Sequence, residues 1–314
     1  MKNTNQNSWA VIINPKSGKK KDESEVCKLL NLLDQNKINY VHFFTERAGH
    51  ATEIVMSLIE KGHDSFLIVG GDGTVNEVVN GVLKSGRNED VLLGIIPLGT
   101  GNDWARYWDI KPEIEHSFQI FLHRNIVSVD AGFVLYSVDN KEEKRGFVNS
   151  VGFGIDAAVA AAAHRHKQIF GSHSMLYFFA LIRTLFTYRS QMAAVTFNGD
   201  RKILPFYTMN IANGCYSGGG MKQNPNANPT DGIFDGMMVR KPSLTNIFEA
   251  VFQLFNGKLL RNKAIESFRS ARVVLETSHM NLVETDGIAF VAGTRVEVEI
   301  LPSALRMIVP ENQK

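Results

Sequence analysis

Residues 66 to 80 read Phe-Leu-Ile-Val-Gly-Gly-Asp-Gly-Thr-Val-Asn-Glu-Val-Val-Asn, an apolar run that breaks on glycines and resumes at helical spacing. Phe66 to Val69 predict a buried strand, Gly70 to Gly73 end it, and from Thr74 onward the apolar residues follow a helical period. A strand that passes through a glycine turn into a helix N-terminus outlines a phosphate site. The helix end offers N–H groups without partners and a partial positive charge, and glycine lets a phosphate oxygen reach the backbone. Asp72 stands where those phosphates would lie, so repulsion calls for a cation or a proton between them. Thr74 and Glu77 have the spacing of a capping box at the start of the helix.

Taken alone, this stretch could be a tight turn and nothing more. Two others repeat the arrangement. The apolar run Val91 to Ile96 opens into Pro97-Leu98-Gly99-Thr100-Gly101-Asn102-Asp103-Trp104-Ala105-Arg106, and Trp9 to Ile13 opens into Asn14-Pro15-Lys16-Ser17-Gly18. Parallel strands that each end in a polar glycine loop bring all three loops to one sheet edge, where α/β proteins bind ligands. Packing alone does not ask for that convergence.

With a later Asp231-Gly232 and Asp286-Gly287, these motifs resemble the diacylglycerol kinase catalytic-domain family, which includes the sphingosine kinases and the bacterial lipid kinases. The resemblance spans nearly the whole chain. Gly70-Gly71-Asp72-Gly73-Thr74 by itself is shared with NAD kinases and is similar to an element of phosphofructokinases, whereas Gly99 to Asp103 with Arg106 points to lipid kinases. The resemblance implies an ATP- and Mg²⁺-dependent kinase acting on a hydroxyl of a membrane lipid: diacylglycerol, a related glycerolipid or a sphingoid base. It assigns ATP to Asn14, Pro15, Lys16, Ser17, Gly18 and Thr45, to the run Gly71, Asp72, Gly73, Thr74, Val75, Asn76 and Glu77, and to Thr100. It puts Asp103 and Arg106 on the acceptor side. It gives Mg²⁺ the Asp231 carboxylate and the backbone carbonyls of Asn228 and Ile233, oxygen donors suited to a hard cation. Plainer readings stand beside these: a strand-end turn at Asn14 to Gly18, an ion pair at a helix start for Asp103 and Arg106, and an Asx turn at Asp231.

Many family members carry a glutamate directly after the last Asp-Gly, proposed as the general base. This chain has Ile288 there, and isoleucine takes no proton. Asp72 and Asp286 are therefore the carboxylates expected to serve catalysis, with Glu284 close by, because a loose phosphoryl-transfer transition state needs little base assistance. Two alternatives stay open. One is a NAD kinase, which shares the Gly-Gly-Asp-Gly-Thr and Asn-Glu elements; the other is a catalytically weak nucleotide- or lipid-binding regulator, kept in view by Ile288.

Apolar runs at strand and helix spacing alternate from Trp9 to about His123, as expected of a doubly wound α/β domain covered on both sheet faces. Past Ile126, strand-like segments separated by Gly-, Asn- and Asp-rich loops predict a mainly antiparallel β-sandwich. They are Ile126 to Leu135, Arg145 to Gly152, Met192 to Phe197, Phe206 to Ala212, Ile233 to Val239, Ala271 to Leu275, Ala289 to Val291 and Thr294 to Leu301. Helices interrupt them at about Ala157 to Arg189 and Leu244 to Gly257. The expected division is a nucleotide-binding domain over 1–131, with 305–314 returning to it, and a lipid-substrate domain over 132–304, the reaction lying between them. Trp104 and Trp108, four apart, are expected to pack together, and His164, His166 and His173 to lie on solvated helix surface. Met175 to Tyr188 is apolar but short of the roughly 20 residues that span a bilayer, so a core or surface-docking helix is expected there.

The net charge of +2, from 34 basic against 32 acidic residues, gives no general attraction to nucleic acid. With only Cys27 and Cys215 there is no disulfide framework, and the N-terminal stretch lacks the apolar core of a secretion signal, so a cytoplasmic protein is expected. The partners expected are a membrane lipid and peripheral contact with its bilayer, with a homodimer left open.

Overall fold

The computed structural model describes residues 8–17, 22–170, 184 and 187–311. The chain forms two compact units, Met1–Ala131 with Pro302–Lys314, and Gly132–Leu301.

The first unit begins with β1 (Trp9–Ile13), α1 (Asp22–Gln35), β2 (Tyr40–Phe44), α2 (His50–Glu60), β3 (Ser65–Gly70), α3 (Asp72–Ser85), β4 (Leu92–Pro97), α4 (Asp103–Tyr107) and α5 (Ile114–His123). Its strands pair in parallel in the order β2-β1-β3-β4. Every residue of β1 is buried, and β3 and β4 are buried after their first residue, as continuous apolar strands covered by crossover helices must be. β2 lies at the edge and buries none of its residues fully, leaving Val41, His42 and Phe44 exposed. Trp9, Val11 and Ile13 pack with Leu29, Leu33, Leu67, Val69, Ile96, Phe118 and Phe121, and the Trp9 and Phe121 rings meet edge-on at 4.7 Å.

The C-terminal residues return to this unit. Arg306 and Met307 pair in parallel with Leu92 and Leu93. Side chains tie the return down: Asn88 Nδ2 donates to the Ala304 carbonyl at 2.8 Å, Asn125 Nδ2 to the Pro310 carbonyl at 3.0 Å, and the Ser303 N–H to Asp130 Oδ1 at 2.7 Å.

The chain leaves along β5 (Ile126–Val138). The second unit adds β6 (Lys141–Phe147), β7 (Ser150–Gly154), α6 (Ile155–Phe170), β8 (Gln191–Phe197), β9 (Asp200–Phe206), β10 (Thr208–Ala212), β11 (Phe234–Val239) and α7 (Leu244–Asn256). It closes with β12 (Ile265–Ser270), β13 (Arg272–Thr277), β14 (Asn281–Thr285), β15 (Ile288–Ala292) and β16 (Arg295–Ile308), whose last residues make the return. One antiparallel sheet runs β12-β11-β10-β7-β14-β15; in the other, the start of β16 pairs with β13, then β8 and β9. Phe153, Met209, Ile211, Met238 and Val283 of the first share one core with Val195, Val273, Leu275, Val296 and Val298 of the second, so the pair is a sandwich.

Arg145 to Gly152, expected as one strand, is two, broken at Val148 and Asn149. β9, which the expected strand touches only at Phe206, was not foreseen, nor were β12 and β14. β12 is an edge strand with charged residues at Glu266 and Arg269, and β14 buries Asn281, Glu284 and Thr285, so neither shows apolar alternation. Trp104 and Trp108 do pack, both nearly inaccessible, with ring centroids 5.7 Å apart. The side chains of His164, His166 and His173, and nearly all of Met175 to Tyr188, fall outside the described residues. No helix among the described residues is long and apolar enough to cross a membrane.

Close approach of α2 and α3 depends on Gly81. A Cβ there would sit 2.9 Å from the Thr52 carbonyl oxygen and from Val55 Cβ. Gly81→Ala should therefore cost about 1–2 kcal/mol net of alanine's better helix propensity, read as a lower Tm, whereas an unchanged Tm would show that the contact does not constrain the pair.

Candidate functional site

The three glycine loops of the first unit meet at the C-terminal ends of β1, β3 and β4. The Asn14 N–H donates to the Val69 carbonyl at 3.0 Å and the Leu98 N–H to the Gly70 carbonyl at 2.9 Å, which locks the loop starts side by side. Gly71 and Gly99 then touch through their backbones: a Cβ on Gly99 would lie 2.4 Å from Gly71 Cα. Only glycine allows the two turns to pack this closely. Asn102, in the left-handed region at φ 51, clasps the second turn, accepting from the Gly99 N–H at 2.9 Å and donating to the Gly99 carbonyl at 2.8 Å.

Gly71, with extended backbone, is the N-cap of α3, so Asp72, Gly73 and Thr74 form the first turn. Asn14 Nδ2 donates to the Thr74 hydroxyl at 3.1 Å, joining the first loop to the second, and Ser17 Oγ lies 3.5 Å from where a Gly71 Cβ would be. Gly73 differs from its neighbours. Its φ is ordinary and a Cβ there would meet nothing within 4 Å, so the space over the helix start is open. Neither packing nor backbone conformation requires glycine at 73.

Asp72 Oδ1 accepts the Trp104 N–H at 3.1 Å, linking the start of α3 to that of α4. Burial pushes its carboxyl above the usual range, against the pull of backbone N–H groups at Trp104, Asp103, Asp72 and Asn102. Asp103 is buried, and its Oδ1 lies 3.8 Å from Nε of the exposed Arg106, whose Nη2 also donates to the Gly101 carbonyl at 3.2 Å. The ion pair at the helix start is thus present. Thr100 is exposed; Thr45 is buried, its N–H on the Ile13 carbonyl at 2.8 Å; Lys16 Nζ reaches the Glu46 carbonyl at 3.3 Å. Pro15 sits in the turn after β1, and Gly18 lies outside the described residues.

The capping box expected of Thr74 and Glu77 does not form. Thr74 is already inside the helix, and Glu77 caps another one: Oε1 accepts the Gly49 N–H at 2.8 Å and Oε2 the Ala51 N–H at 3.1 Å, at the start of α2. Spacing identified a capping residue but could not say which helix it caps. Val75 and Asn76 are buried, so both stand behind the loop.

In the second unit Asp286 and Gly287 form the two-residue turn between β14 and β15, both with positive φ (48° and 83°). The buried Asp286 carboxylate accepts three backbone N–H groups, from Val148 at 3.0 Å, Asn149 at 2.9 Å and Ser150 at 3.0 Å. A carboxylate held this way fixes the break between β6 and β7. Beside it lies a pair of which the sequence reading missed one member. Gly152 has no Cβ, and where one would stand Glu284 Oε1 comes within 2.7 Å and Asp156 Cβ within 2.8 Å. Burial, then the Asp156 charge, pushes Glu284 up to about 8; burial also raises Asp156 to about 6, against hydrogen bonds from Thr208, Asn210 and Gln223. Gly152 and Gly154, within the strand that ends just before Asp156, were the signals in the sequence.

The expected Mg²⁺ loop is occupied by its own side chains. Asn228 Oδ1 accepts from the Thr230 N–H at 3.2 Å and the Thr230 hydroxyl at 2.8 Å, and Asp231 Oδ1 accepts the Ile233 N–H at 3.3 Å. The other Asp231 oxygen pairs with Arg269, whose Nε also lies 3.3 Å from Asp235 Oδ2. Among the described residues no three His, Cys, Asp or Glu side chains are placed to hold a metal. The Asx turn forms, and Arg269 pairs with the carboxylate that the expected Mg²⁺ would also use.

Residues 8–134 match the family model of the diacylglycerol kinase catalytic domain, and residues 149–309 that of the YegS C-terminal NAD kinase beta sandwich-like domain. The chain belongs to the diacylglycerol kinase-like family of lipid kinases. It is 27% identical over 305 residues to a diacylglycerol kinase of Mycobacterium tuberculosis, covering 96% of this chain and 95% of the relative. It is 28% identical over 288 residues to a diacylglycerol kinase of Staphylococcus saprophyticus, covering 88% and 87%. A crystal structure of a diacylglycerol kinase from Bacillus anthracis shares the fold, with TM-score 0.73 and 22% identity over 97% of each chain. The α/β domain with an antiparallel sandwich expected from the sequence is the fold of this lipid kinase family, and the NAD kinase alternative gives way to it.

Because Glu284 and Asp156 hold protons in the folded chain that the unfolded chain has released, stability should fall as pH rises from about 5 toward 8. Glu284→Gln should flatten that fall and raise the Tm at pH 8 by several degrees. A Tm–pH profile that the substitution leaves unchanged would contradict the burial of the charge.

Proposed function

We propose that this lipid kinase transfers the γ-phosphoryl group of Mg²⁺-bound ATP to a hydroxyl of a membrane lipid: diacylglycerol, a related glycerolipid or a sphingoid base. The observation that carries this reading is the open space at Gly73, above a helix start around which three glycine loops are locked together. The first unit would be the nucleotide-binding domain and the second the lipid-substrate domain.

In this proposal the N–H groups of Gly71, Asp72 and Gly73 face the phosphates of ATP, the Thr74 N–H being taken by the Gly71 carbonyl at 2.9 Å. Asn14, Pro15, Lys16, Ser17 and Gly18 close over them, Lys16 supplying positive charge, and Thr45 and Thr100 complete the nucleotide contacts. Val75, Asn76 and Glu77 act from behind, Glu77 by holding the start of α2. Mg²⁺ arrives with the nucleotide as part of the substrate, and the loop at Asp231 has no step assigned to it.

The acceptor oxygen forms a bond to the γ-phosphorus as the bond to the bridging oxygen of ADP breaks, and the hydroxyl proton leaves to a carboxylate or to solvent. A loose transition state asks mainly for alignment and charge neutralisation. Asp72 is the proton acceptor we propose, because burial raises its affinity for a proton toward that of a useful base. Asp286 contributes by fixing residues 148–150, Asp103 with Arg106 orients the acceptor side, and Ile288 has no proton-transfer role. Since ATP is a cytosolic donor and the acceptor lies in a bilayer, we place the reaction at the cytoplasmic surface of a membrane. A second copy in a homodimer is a further element of this reading.

The test is transfer of labelled γ-phosphate from ATP, with Mg²⁺, to a panel of diacylglycerol, phosphatidylglycerol, a sphingoid base and NAD. Label should appear in one lipid and fall by about 10²-fold or more in Asp72→Asn. Label in NAD, or none anywhere while ATP still binds, would defeat the proposal. Gly73→Ala separates site from scaffold: its unfolding free energy should stay within about 1 kcal/mol of the parent's, while ATP affinity drops. Unchanged ATP affinity would remove Gly73 from the site.

A further inference from the structure

Among the described residues, α7 packs through Ile247 and turns the more strongly apolar of its faces outward. At helical spacing Leu244, Phe248, Val251, Phe252 and Phe255 fall within an arc of about 100°, and Leu244, Phe252 and Phe255 are 62%, 74% and 66% exposed. The residue that α7 buries is Ile247, to one side of that stripe, where it packs with Ile155, Tyr207 and Val239. A helix recruited only to cover a core would place its phenylalanines inward. Single exposed apolar residues are common, but three large ones on one stripe are not.

The helix presenting this stripe is firmly built. Ser243 and Asn246 form a reciprocal capping box, with the Asn246 N–H donating to Ser243 Oγ at 3.2 Å and the Ser243 N–H to Asn246 Oδ1 at 3.1 Å. Gly257 ends it in the left-handed region at φ 69, and Asn262 Nδ2 donates to the Asn246 carbonyl at 3.0 Å. The stripe is therefore held in place, and its exposure does not come from a frayed end.

Charge identifies the occupant. Lys241 precedes the helix, and Lys258, Arg261 and Lys263 follow it, all exposed. From 241 to 263 the acidic residue is Glu249, which accepts from Gln253 Nε2 at 2.8 Å. An aromatic stripe bracketed by basic side chains matches an anionic bilayer surface: the rings enter the boundary between headgroups and acyl chains while ammonium and guanidinium groups meet lipid phosphates. A protein partner would need complementary acidic and apolar surfaces together; the bilayer already holds this enzyme's class of substrate.

We propose that the outward face of α7 is a membrane-docking surface for anionic lipid, with Leu244, Phe252 and Phe255 inserting and Lys241, Lys258, Arg261 and Lys263 supplying attraction. This rests on the reading above that the acceptor is a lipid in a bilayer. Docking would bring the second unit to the surface from which that lipid is drawn.

The experiment is co-sedimentation of the full chain with sucrose-loaded vesicles of phosphatidylcholine alone or mixed with phosphatidylglycerol. The double variant Phe252→Ser/Phe255→Ser and the charge variant Lys258→Glu/Lys263→Glu are compared with the parent, each with its Tm. The parent should bind the phosphatidylglycerol vesicles at least about tenfold more tightly than the neutral ones, and each variant should lose about tenfold or more of that binding at an unchanged Tm. Phosphorylation of vesicle-borne acceptor should fall in step, with phosphorylation of a short-chain acceptor dispersed as monomers unaffected. Parent-like vesicle binding by both variants would overturn the docking surface even if the kinase is active. Vesicle binding lost in the variants, with no lipid phosphorylated by the parent, would uphold the surface and sink the acceptor assignment instead. A dimer that dissociates in Phe252→Ser/Phe255→Ser while vesicle binding persists would assign the stripe to a second copy and overturn the proposal.

Discussion

The backbone contact between Gly71 and Gly99 is what the rest of the first unit depends on. Two strand-ending turns cannot approach to where a Cβ would stand 2.4 Å from the opposing Cα unless both lack side chains there. Once they do, the remaining links follow at short range: Asn102 clasps its own turn, Asp72 takes the Trp104 N–H, and Asn14 reaches Thr74. The result is a rigid rim in which helix starts and polar loops are fixed before any ligand arrives, and preorganisation of this kind is most of what phosphoryl transfer asks of a protein. At Gly73 a Cβ would meet nothing within 4 Å, so the rim is open there.

Carboxylates in this chain are sorted by what surrounds them. Glu77 and Asp286 are spent on backbone N–H groups, one at the start of a helix and one at a break between strands. Asp231 is neutralised by a guanidinium. Asp72, Asp156 and Glu284 are pushed toward their protonated forms by burial, and of these Asp72 sits in the glycine rim. Residue type alone would have treated all six alike; burial and hydrogen-bond partners, which the fold supplies, tell them apart.

The β-sandwich carries its own logic. Its two sheets share one apolar core, yet β14 and β7 also bury polar side chains, including Ser150, Asn281, Glu284 and Thr285. Buried polar groups cost free energy unless satisfied, and Asp286 meets part of that need by accepting the N–H groups of Val148, Asn149 and Ser150.

The sequence by itself determined the strand–glycine–helix units, the parallel α/β domain, the antiparallel domain after it and the lipid kinase family, because each is written in short-range pattern: apolar period, glycine position and motif spacing. It did not determine partners across the chain. Whether Glu77 would cap α3 or α2, whether Asp231 would meet a cation from solution or the guanidinium of Arg269, and that Asp156 would stand against Glu284 across the gap left by Gly152 were decided by the tertiary structure. The same holds for α7, whose apolar period predicts a helix but not which face turns outward. Pairings between residues tens of positions apart leave no local periodicity, and burial, which sets charge and proton affinity, exists only once the chain has closed around the group.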